Sequence, residues 1–434
     1  DRAAVIAPGG AIGFAQLSEA MQQWRERFQA AGVPRGGVVG VEGDYGVETI
    51  AAFLAAISEH LILVPLSPDS AAHADAFLKI AEVEWRVNGA AATVDRTCVS
   101  ATHEHFLELR RRDAAGLVLF SSASTGTHKA AVHDLSRLLE KFATPRRPWR
   151  TVMFLQLDHI GGINTLLYAL ANGGTVVVAR QRHPDDVAAT IAKHGVELLP
   201  TSPSFLNLLL MSGAIDRHDL SSLRLITYGT EPMPVSTLQR ATRALPHATF
   251  QQTYGLTEVG ILRSKSRDSE SLWVRVGGEG FETKVLDGRL WIRARSGMLG
   301  YLNAPSPFDA DGFLDTGDRV EVDGEWMRIL GRESEIINVG GNKVYPAEVE
   351  AVILELDGVV DAIVAGEPHP LTGAVVTTTV VLRSPESLAD FKVRLRSHCI
   401  ERLAAFKIPV RVRIVEGPLH SSRYKRQRRP VTAG

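Results

Sequence analysis

The sequence contains few of the residues that would mark a disulfide-rich, zinc-stabilised or membrane protein. Only two cysteines occur in 434 residues, Cys98 and Cys399, and they form no CxxC pair. A disulfide framework or a structural zinc site is therefore not expected, and we interpret both thiols as small buried residues in a reducing cytoplasm. The longest apolar stretches, such as Ile50 to Ile57, are too short and too interrupted to span a bilayer. We expect no signal peptide in the segment that begins at Asp1.

An excess of charge of one sign is also lacking. The chain has 48 Lys and Arg residues against 49 Asp and Glu residues, for a formal net charge of −1. This balance favours neither nucleic acid nor an anionic membrane as a partner, and we expect neither. Hydrophobic residues at 45% and charged residues at 22% are typical of a soluble globular protein. Because 434 residues exceed one compact core, we expect two or more domains.

Short β-rich runs alternate with helical stretches from Val38 to about Phe250. This alternation predicts an α/β fold with a large N-terminal domain of parallel or mixed sheets flanked by helices. The predicted strands are Gly37–Val41, Leu61–Pro65, Gly116–Ser121, Val152–Leu155, Thr175–Ala179, Glu197–Pro200, Leu223–Thr227 and Ala248–Gln252. Hairpin-like pieces around the turn signal Asp287-Gly288 predict a small β region after Ser266.

A second unit of helices and strands begins near Gly331 and predicts a small, mobile α+β C-terminal domain. Its predicted elements are the helices Ala347–Leu356 and Leu388–Leu403 and the strands Val359–Ala365 and Val375–Leu382. No long low-complexity linker separates the two units, so we expect a junction near Arg332–Glu335 and domains over residues 1–332 and 333–434. Binding sites in parallel sheets lie at the carboxyl ends of strands, and the candidate motifs fall there.

The segment 120–129 reads FSSASTGTHK and follows a β-rich run. Its backbone N–H groups, hydroxyls and single lysine are suited to wrapping phosphate oxygens. It is not a Walker loop, because the first glycine is absent and no Ser or Thr follows Lys129. The candidate phosphate ligands are Ser121, Ser122, Ser124, Thr125, Gly126, Thr127 and Lys129. The competing interpretation is a polar surface loop, which the Ser, Thr and Gly content alone would favour.

The segment 253–258 reads TYGLTE and lies just beyond the predicted strand Ala248–Gln252. A tyrosine can stack on a purine, a threonine can bond a phosphate, and a carboxylate can hold Mg²⁺ against phosphate oxygens. Tyr254, Thr257 and Glu258 are the candidates for these tasks. The competing interpretation is a strand end followed by a capped helix, where Thr and Glu are common.

Three further short segments carry groups suited to a nucleotide. They read YGTEPM at 228–233, DTGD at 315–318 and ILGR at 329–332. A carboxylate can accept bonds from both hydroxyls of a ribose, and an arginine can contact ribose or phosphate. Taken alone, each segment is an ordinary turn or carries an ordinary surface cation.

The predicted C-terminal domain contains two candidate segments. The first, VGGNKVYPAEVE at 339–350, couples a glycine turn to a helix start, where Pro346 suits the first turn. The second, SSRYKRQR at 421–428, contains Lys425. A lysine is suited to neutralising two anions that are pushed together. The competing interpretation of the second segment is a solvated basic tail.

Together these segments resemble the adenylate-forming superfamily of acyl-CoA synthetases, adenylation domains and luciferases. The resemblance covers nearly the whole chain, and its strongest short match is Tyr-Gly-x-Thr-Glu at 254–258. The family has glycine at the positions of Ala123 and Tyr424 and proline at the position of His128, so the chain departs from the pattern there. The Gly-Gly-Asn-Lys form at 340–343 looks more like CoA ligases than peptide-synthetase adenylation domains.

The resemblance implies a role for each candidate residue. Adenine is assigned to Gly229, Thr230, Glu231, Thr253 and Tyr254, and ribose to Asp318, Ile329 and Arg332. Catalysis is assigned to Lys425, Thr257 and Glu258, and Glu258 also binds Mg²⁺. The thiol channel is assigned to Gly340, Gly341 and Lys343, and the hinge to Ser334, where the family often has aspartate.

The segment 157–164 reads LDHIGGIN, and its form resembles that of short aryl-acid CoA ligases. The family places a histidine or an aromatic residue at the position of His159, beside the acid. By this resemblance the acid pocket is assigned to His159, Gly161, Gly162, Thr227, Tyr228 and Gly255. Gly161 and Gly162 would leave room for a ring, which favours a small aromatic or short acid. The competing interpretation of His159 is a structural hydrogen bond at a helix start.

The implied reaction uses ATP and Mg²⁺ to convert a small carboxylic acid to an acyl-adenylate, which then passes its acyl group to a thiol. Three hypotheses stay open. The chain is an acyl- or aryl-CoA synthetase that uses CoA, a stand-alone adenylation enzyme that loads the phosphopantetheine of an acyl carrier protein, or a degenerate, non-catalytic nucleotide- or acyl-binding protein. A cytoplasmic location is expected, and a homodimer is left open.

Overall fold

The computed structural model describes residues 2–121, 128–420 and 424. Within these residues the strands form five sheets, four of them in residues 3–332 and the fifth in residues 337–414. The predicted α/β class, with a large N-terminal and a smaller C-terminal domain, is confirmed. The predicted boundary between residues 332 and 333 coincides with the end of a strand and stays a prediction.

The strands are numbered in chain order. They are β1 (Ala3–Ala7), β2 (Gly10–Gly13), β3 (Val38–Glu42), β4 (Ile62–Leu66), β5 (Trp85–Asn88), β6 (Thr93–Arg96), β7 (Gly116–Phe120), β8 (Ala130–Asp134), β9 (Arg150–Val152), β10 (Thr175–Val177), β11 (Leu198–Thr201), β12 (Leu225–Tyr228), β13 (Thr249–Gln252), β14 (Gly255–Leu256), β15 (Gly260–Ile261), β16 (Arg263–Ser266), β17 (Trp273–Gly277), β18 (Phe281–Leu286), β19 (Arg289–Ala294), β20 (Gly300–Tyr301), β21 (Leu314–Asp323), β22 (Trp326–Arg332), β23 (Ile337–Val339), β24 (Asn342–Val344), β25 (Val359–His369), β26 (Gly373–Leu382) and β27 (Arg411–Ile414).

The α-helices are numbered in the same way. They are α1 (Phe14–Ala30), α2 (Val47–Ser58), α3 (Ala74–Ile80), α4 (Glu104–Arg111), α5 (Leu135–Leu139), α6 (Ile160–Ala171), α7 (Pro184–His194), α8 (Pro203–Met211), α9 (Ala214–Arg217), α10 (Val235–Ala244), α11 (Pro346–Ile353) and α12 (Leu388–Ile400). Across the described ranges, none of the helices combines the length and the apolarity that crossing a membrane requires.

Two sheets form the body of the larger domain, the first mainly parallel and the second mixed. The first has the order β13-β12-β11-β9-β10-β1-β2, and the second has the order β20-β8-β7-β4-β3-β5-β6. Every residue of β4 and β7 is buried, as expected of strands covered on both faces. The third sheet, β16-β17-β22-β21-β19-β18, is antiparallel and corresponds to the predicted small β region. A short antiparallel pair, β14 and β15, lies in sequence between β13 of the first sheet and β16 of the third.

The C-terminal sheet has the order β24-β23-β26-β25, with β27 paired to β26. Side-chain bonds join this sheet and its helices to the larger domain. The Asn207 side-chain amide donates to the Val360 carbonyl at 2.9 Å, and the Ser236 hydroxyl donates to the Ala351 carbonyl at 3.2 Å. The C-terminal domain is therefore held against α8 and α10.

The predicted elements recur in the structure with ends that differ by a few residues. The predicted strand Val152–Leu155 is observed as Arg150–Val152, and the predicted helix Leu388–Leu403 ends at Ile400. Cys399 is buried in α12 as predicted, whereas the prediction that Cys98 is buried is wrong. The loop after β6 that carries Cys98 runs over the surface, as connecting segments usually do.

Candidate active site

The segments that follow β12 and β13 both begin at the carboxyl ends of neighbouring parallel strands in the first sheet. The two strands run parallel with Tyr228 opposite Gln252. The Thr253 N–H donates to the Tyr228 carbonyl at 2.7 Å. A Cβ added to Gly229 would lie 2.7 Å from the Thr253 carbonyl oxygen, so this close approach requires glycine. The fold thus brings together the two segments that are predicted to contact adenine, one containing Gly229 and the other Thr253.

The backbone of Thr230 is strained at this edge. Its φ of 74° lies in the left-handed region, which is unusual for a β-branched residue. Strained backbone of this kind clusters at functional sites. The next residue, Glu231, accepts a bond of 2.7 Å from the Ser204 N–H in the first turn of α8, where the helix dipole favours a carboxylate. The segment is therefore held against α8.

The groups predicted to bind adenine and ribose converge on Asp318. The Tyr254 hydroxyl donates to Asp318 Oδ2 at 2.5 Å, and Arg332 Nε lies 3.0 Å from Oδ1. Asp318 and Arg332 lie opposite each other where β21 pairs with β22. Asp318 is 6% and Tyr254 8% exposed. Burial and the neighbouring Asp318 charge raise the pKa of Tyr254 well above its usual value, so the hydroxyl stays a donor.

Glu258 bonds to a tyrosine that the sequence analysis did not single out. The hydroxyl of Tyr301, in β20, donates to Glu258 Oε1 at 2.6 Å. The ammonium nitrogen of Lys129 lies 5.2 Å from the centre of the Tyr301 ring. Burial and the Glu258 charge raise the pKa of Tyr301. Tyr301 thus links the predicted magnesium ligand to the lysine at the end of the predicted phosphate loop. A single tyrosine after a glycine carries no chemical signal in sequence.

The donor groups fit a magnesium ion that is held by Glu258 and by a nucleotide. The described ranges contain no group of three or more His, Cys, Asp or Glu side chains placed to hold a metal by themselves. Mg²⁺ usually takes one or two carboxylates together with water and substrate phosphates. Tyr301 takes one carboxylate oxygen of Glu258, and a hard cation can bind the other.

The predicted phosphate loop is framed by hydrogen bonds at its two ends. The Ser121 N–H donates to the Lys129 carbonyl at 2.9 Å. The Asn303 side chain accepts from the Ala130 N–H at 3.0 Å and donates to the His128 carbonyl at 2.8 Å. Asn303 is a second residue that the sequence analysis missed. The loop residues Ser122, Ser124, Thr125, Gly126 and Thr127 lie outside the described residues, and their roles stay predictions.

His159 makes the helix-start hydrogen bond that the sequence analysis weighed as an alternative. It precedes α6, and its Nδ1 accepts from the Gly161 N–H at 3.1 Å. A Cβ added to Gly162 would lie 1.9 Å from the Gln156 carbonyl oxygen and 2.8 Å from the Tyr45 hydroxyl. The space beside Gly162 is thus filled by packed atoms. The expectation that this glycine leaves room for a ring is not supported, because close packing accounts for it.

The other predicted pocket residues lie at the same edge of the first sheet. Thr227 and Tyr228 are the last residues of β12, and Tyr228 is 1% exposed. Gly255 begins β14, where an added Cβ would lie 2.7 Å from the Gly260 carbonyl oxygen. Gly255 therefore permits the close pairing of β14 with β15. This pairing fixes the position of the segment that follows Tyr254.

The predicted thiol-channel residues lie in the hairpin of β23 and β24. Gly340 and Gly341 have φ values of 56° and 85°, which favour glycine. A Cβ added to either would meet no atom within 4 Å, so the turn is open. The Lys343 ammonium nitrogen lies 3.7 Å from Glu333, which lies 3.1 Å from Arg319 of β21. This chain of charges connects the hairpin to the strand that carries the predicted ribose ligand.

Four predicted residues remain, and the first of them, Thr257, lies between β14 and β15. Ser334 lies in the 3₁₀-helix Glu333–Glu335, between β22 and β23. Ile329, in β22, packs against the core cluster that contains Tyr254. Lys425 lies outside the described residues, and its catalytic role stays a prediction.

The comparison with known proteins agrees with this geometry. Residues 1–302 match the AMP-binding enzyme family, and residues 348–423 match the AMP-binding enzyme C-terminal domain. The chain belongs to the AMP-binding enzyme family. The second match lies within the predicted C-terminal domain. The family assignment confirms the resemblance that the motifs indicated.

Individual relatives show how far the similarity extends. The chain is 34% identical to a 3-[(3aS,4S,7aS)-7a-methyl-1,5-dioxo-octahydro-1H-inden-4-yl]propanoyl:CoA ligase of Rhodococcus jostii (strain RHA1), over 58% of this chain and 50% of that protein. It is 26% identical to the 2-succinylbenzoate–CoA ligase of Bacillus subtilis (strain 168), over 96% of this chain and 92% of that protein. The match thus spans only about half the length of the Rhodococcus relative.

The fold is shared with solved adenylate-forming enzymes. The anthranilate CoA ligase AuaEII, in complex with anthranoyl-AMP, superposes with a TM-score of 0.82. It is 21% identical in sequence, and the alignment covers 99% of this chain and 93% of that one. At this identity the match shows a common fold.

Proposed function

We propose that the protein activates a small carboxylic acid with ATP and Mg²⁺ and transfers the acyl group to the thiol of CoA. The carboxylate attacks the α-phosphorus of ATP, pyrophosphate leaves, and an acyl-adenylate forms. The CoA thiol then attacks the acyl carbon, and AMP leaves. A free carboxylate is a poor electrophile, and adenylation supplies the leaving group that the second step needs.

One observation carries this proposal. Tyr254 and Arg332 both contact Asp318, and Glu258 follows Tyr254 within the same segment. A ring, a buried carboxylate and a cation are the groups that recognise a purine nucleoside and its phosphates. The nearby Glu258 adds a carboxylate suited to Mg²⁺. Candidate groups for ribose and for metal that lie around the same arginine, Arg332, support the binding of a nucleoside triphosphate.

Each group has a proposed task in the first step. Tyr254 stacks on adenine, Asp318 accepts bonds from the ribose hydroxyls, and Thr257 contacts the α-phosphate. Mg²⁺, when bound, offsets the negative charge of the phosphates. Glu258, oriented by Tyr301, would hold it, and Lys129 lies beside the same ring.

We propose that residues 1–332 bind ATP and the acid. Residues 333–434 would then move between the first step and the second. Lys425 neutralises the carboxylate and the α-phosphate during adenylation. Rotation about the hinge at Ser334 then replaces Lys425 with the open turn of Gly340 and Gly341, which admits the thiol. Glycines without close neighbours suit a passage for an extended thiol arm.

The acid pocket is proposed to lie beside His159, Thr227 and Tyr228 at the edge of the first sheet. Some of the relatives are named for acids that carry rings, among them 2-succinylbenzoate and anthranilate, and another is named for the short acid sulfoacetate. The proposed substrate is therefore a small aromatic or short acid.

A pyrophosphate-release screen tests the proposal. The purified chain is incubated with ATP, Mg²⁺ and a panel of small aromatic and aliphatic acids. We expect acid-dependent release of pyrophosphate with a subset of these acids and acyl-CoA formation when CoA is added. Complete absence of pyrophosphate release across the panel, and of ATP–pyrophosphate exchange when labelled pyrophosphate is supplied, would favour the non-catalytic binding protein.

The alternative acceptor is the phosphopantetheine arm of a carrier protein. Offering CoA and a phosphopantetheinylated carrier protein in parallel, with the same acid, separates the two. A cytoplasmic location and a homodimer remain further predictions. Fractionation of cells and light scattering of the purified chain test them.

A further inference from the structure

The side chain of Tyr424 lies in an aromatic slot of the larger domain. Its ring centre lies 5.4 Å from that of Phe154, which follows β9, and 5.1 Å from that of Phe205, in α8. The Phe205 ring meets it edge-on at 80°, and His420 stacks on it at 4.6 Å. A residue near the C-terminal end of the chain therefore packs against the core of the first sheet.

Polar contacts fix both ends of this residue. The Tyr424 hydroxyl donates to the Arg182 carbonyl, and the Tyr424 carbonyl accepts from the Ser202 hydroxyl at 2.9 Å. The side chain of Arg182 is itself held, because it donates to the Phe154 carbonyl at 2.8 Å and forms a two-pronged pair with Asp44 at 2.6 and 2.8 Å. The slot is thus built from side chains that are themselves held.

The backbone of Tyr424 has the conformation of a glycine position. Its φ is 51°, in the left-handed region that disfavours residues with a Cβ. The family resemblance places glycine at this position. A glycine would reach the same conformation without strain, but it would have no side chain to fill the slot. The ring and hydroxyl contacts of Tyr424 offset the strain and add an anchor.

We propose that Tyr424 is a positioning residue that anchors the segment containing Lys425 to the larger domain. Because Lys425 is bonded directly to Tyr424, holding one restricts where the other can reach. The anchor favours the arrangement needed for adenylation, and it must be released before the C-terminal domain rotates for acyl transfer. This inference rests on the proposed function for its kinetic consequence, but the anchor itself is a structural contact.

Two variants separate the ring from the hydroxyl. Tyr424→Phe keeps the aromatic contacts and removes the bond to the Arg182 carbonyl, whereas Tyr424→Gly removes the side chain and restores the family residue. Tyr168→Phe is the matched control, because the Tyr168 hydroxyl also donates to an arginine carbonyl, that of Arg147, at 3.1 Å. Thermal unfolding of each variant identifies any general loss of stability.

The two half-reactions are measured separately. We expect Tyr424→Phe to lower the rate of ATP–pyrophosphate exchange about threefold and Tyr424→Gly about tenfold or more, the size expected for lost hydrogen bonds and ring contacts. Single-turnover transfer from preformed acyl-adenylate to CoA should stay unchanged or become faster. Equal loss in both half-reactions, or no change in exchange for Tyr424→Gly, would overturn the proposal.

A distance measurement tests the anchor without relying on activity. Spin labels are placed on Cys98, which is exposed, and on a cysteine introduced by Leu371→Cys, since Leu371 is 88% exposed. Burial raises the pKa of Cys399 to about 11, which keeps that thiol unreactive. Tyr424→Gly should broaden the distance distribution, and Tyr168→Phe should not. An unchanged distribution for Tyr424→Gly contradicts the anchor, whereas absent exchange in the wild type contradicts the proposed function.

Discussion

Tyr254 and Asp318 are 64 residues apart in sequence, yet the hydroxyl of Tyr254 lies 2.5 Å from Oδ2 of Asp318. The contact joins the segment after β13 to β21 of the third sheet, so it spans two sheets of the larger domain. A buried carboxylate held in this way is preorganised to accept further hydrogen bonds.

Asp318→Asn should weaken ATP binding by about 10- to 100-fold, because hydrogen bonds to a charged acceptor are worth roughly 1.5–3 kcal/mol. The amide oxygen can still accept from Tyr254, so the fold should be retained. Calorimetric titration with ATP measures the loss. Asp323→Asn is the control, because Asp323 ends the same strand and is paired with Arg267 at the surface. Equal ATP affinity in the wild type and Asp318→Asn would contradict the assignment of the ribose site.

Tyr301→Phe should raise the Mg²⁺ concentration that is needed for half-maximal exchange, by about tenfold. The change removes the bond that orients Glu258 and keeps the ring that faces Lys129. Magnesium titrations of ATP–pyrophosphate exchange, repeated with Mn²⁺, provide the measurement. Tyr168→Phe again serves as the control. If the magnesium requirement of Tyr301→Phe matched that of the wild type, Tyr301 would have no part in orienting the metal ligand.

His133 should make the fold less stable as the pH falls. Burial lowers the pKa of this fully buried imidazole in β8 to about 4, so it stays neutral in the folded state. In the unfolded chain, histidine binds a proton below about pH 6.5. The unfolded state therefore gains protons first, and stability is lost as the pH drops from about 6.5 towards 4.

Urea unfolding of the wild type and of His133→Asn at pH 7 and pH 4.5 isolates this contribution. The difference in unfolding free energy between the two proteins should shift against the wild type by about 2–3 kcal/mol at the lower pH. Other groups titrate equally in both proteins and cancel from the difference. If the difference in unfolding free energy did not depend on pH, the pKa of His133 in the folded state would not be lowered.

Gly162→Ala should destabilise the protein by about 1–3 kcal/mol or more, because the new methyl group would overlap the Gln156 carbonyl. Gly9→Ala is the control, because a Cβ there meets no atom within 4 Å, and its effect should stay within about 0.5 kcal/mol. Urea unfolding measures both. A substitution at Gly162 with no effect would restore the interpretation that this glycine borders open space.

The motifs and the element types were accessible from the residues themselves. Strand and helix patterns depend on local hydrophobic periodicity, so the predicted strand Ala248–Gln252 differs by only one residue from the observed Thr249–Gln252. The segment 253–258 combines an aromatic ring, a hydroxyl and a carboxylate, and this combination predicted a nucleotide site before any contact was known. The predicted positions of strand ends were less accurate, because the neighbouring strand in the sheet determines where a strand stops pairing.

Tyr301 and Asn303 show what could not be predicted. Each acts through a bond to a residue distant in sequence, 43 residues for Tyr301 with Glu258 and 173 for Asn303 with Ala130. No residue near Tyr301 or Asn303 in sequence indicates that Glu258 or Ala130 is the partner. Gly162 was misinterpreted because the conformation of the preceding loop, which the sequence does not reveal, places the Gln156 carbonyl against it.

The sequence by itself therefore determined which chemical groups are present, the class of the fold and the family. The tertiary structure decided which groups meet: Tyr254 with Asp318, Tyr301 with Glu258, and Tyr424 with the slot beside Phe205. The physical reason is that hydrogen bonds and packing act over a few ångströms in space. The distance along the chain between two residues does not reveal whether sheet register and helix packing will bring them that close.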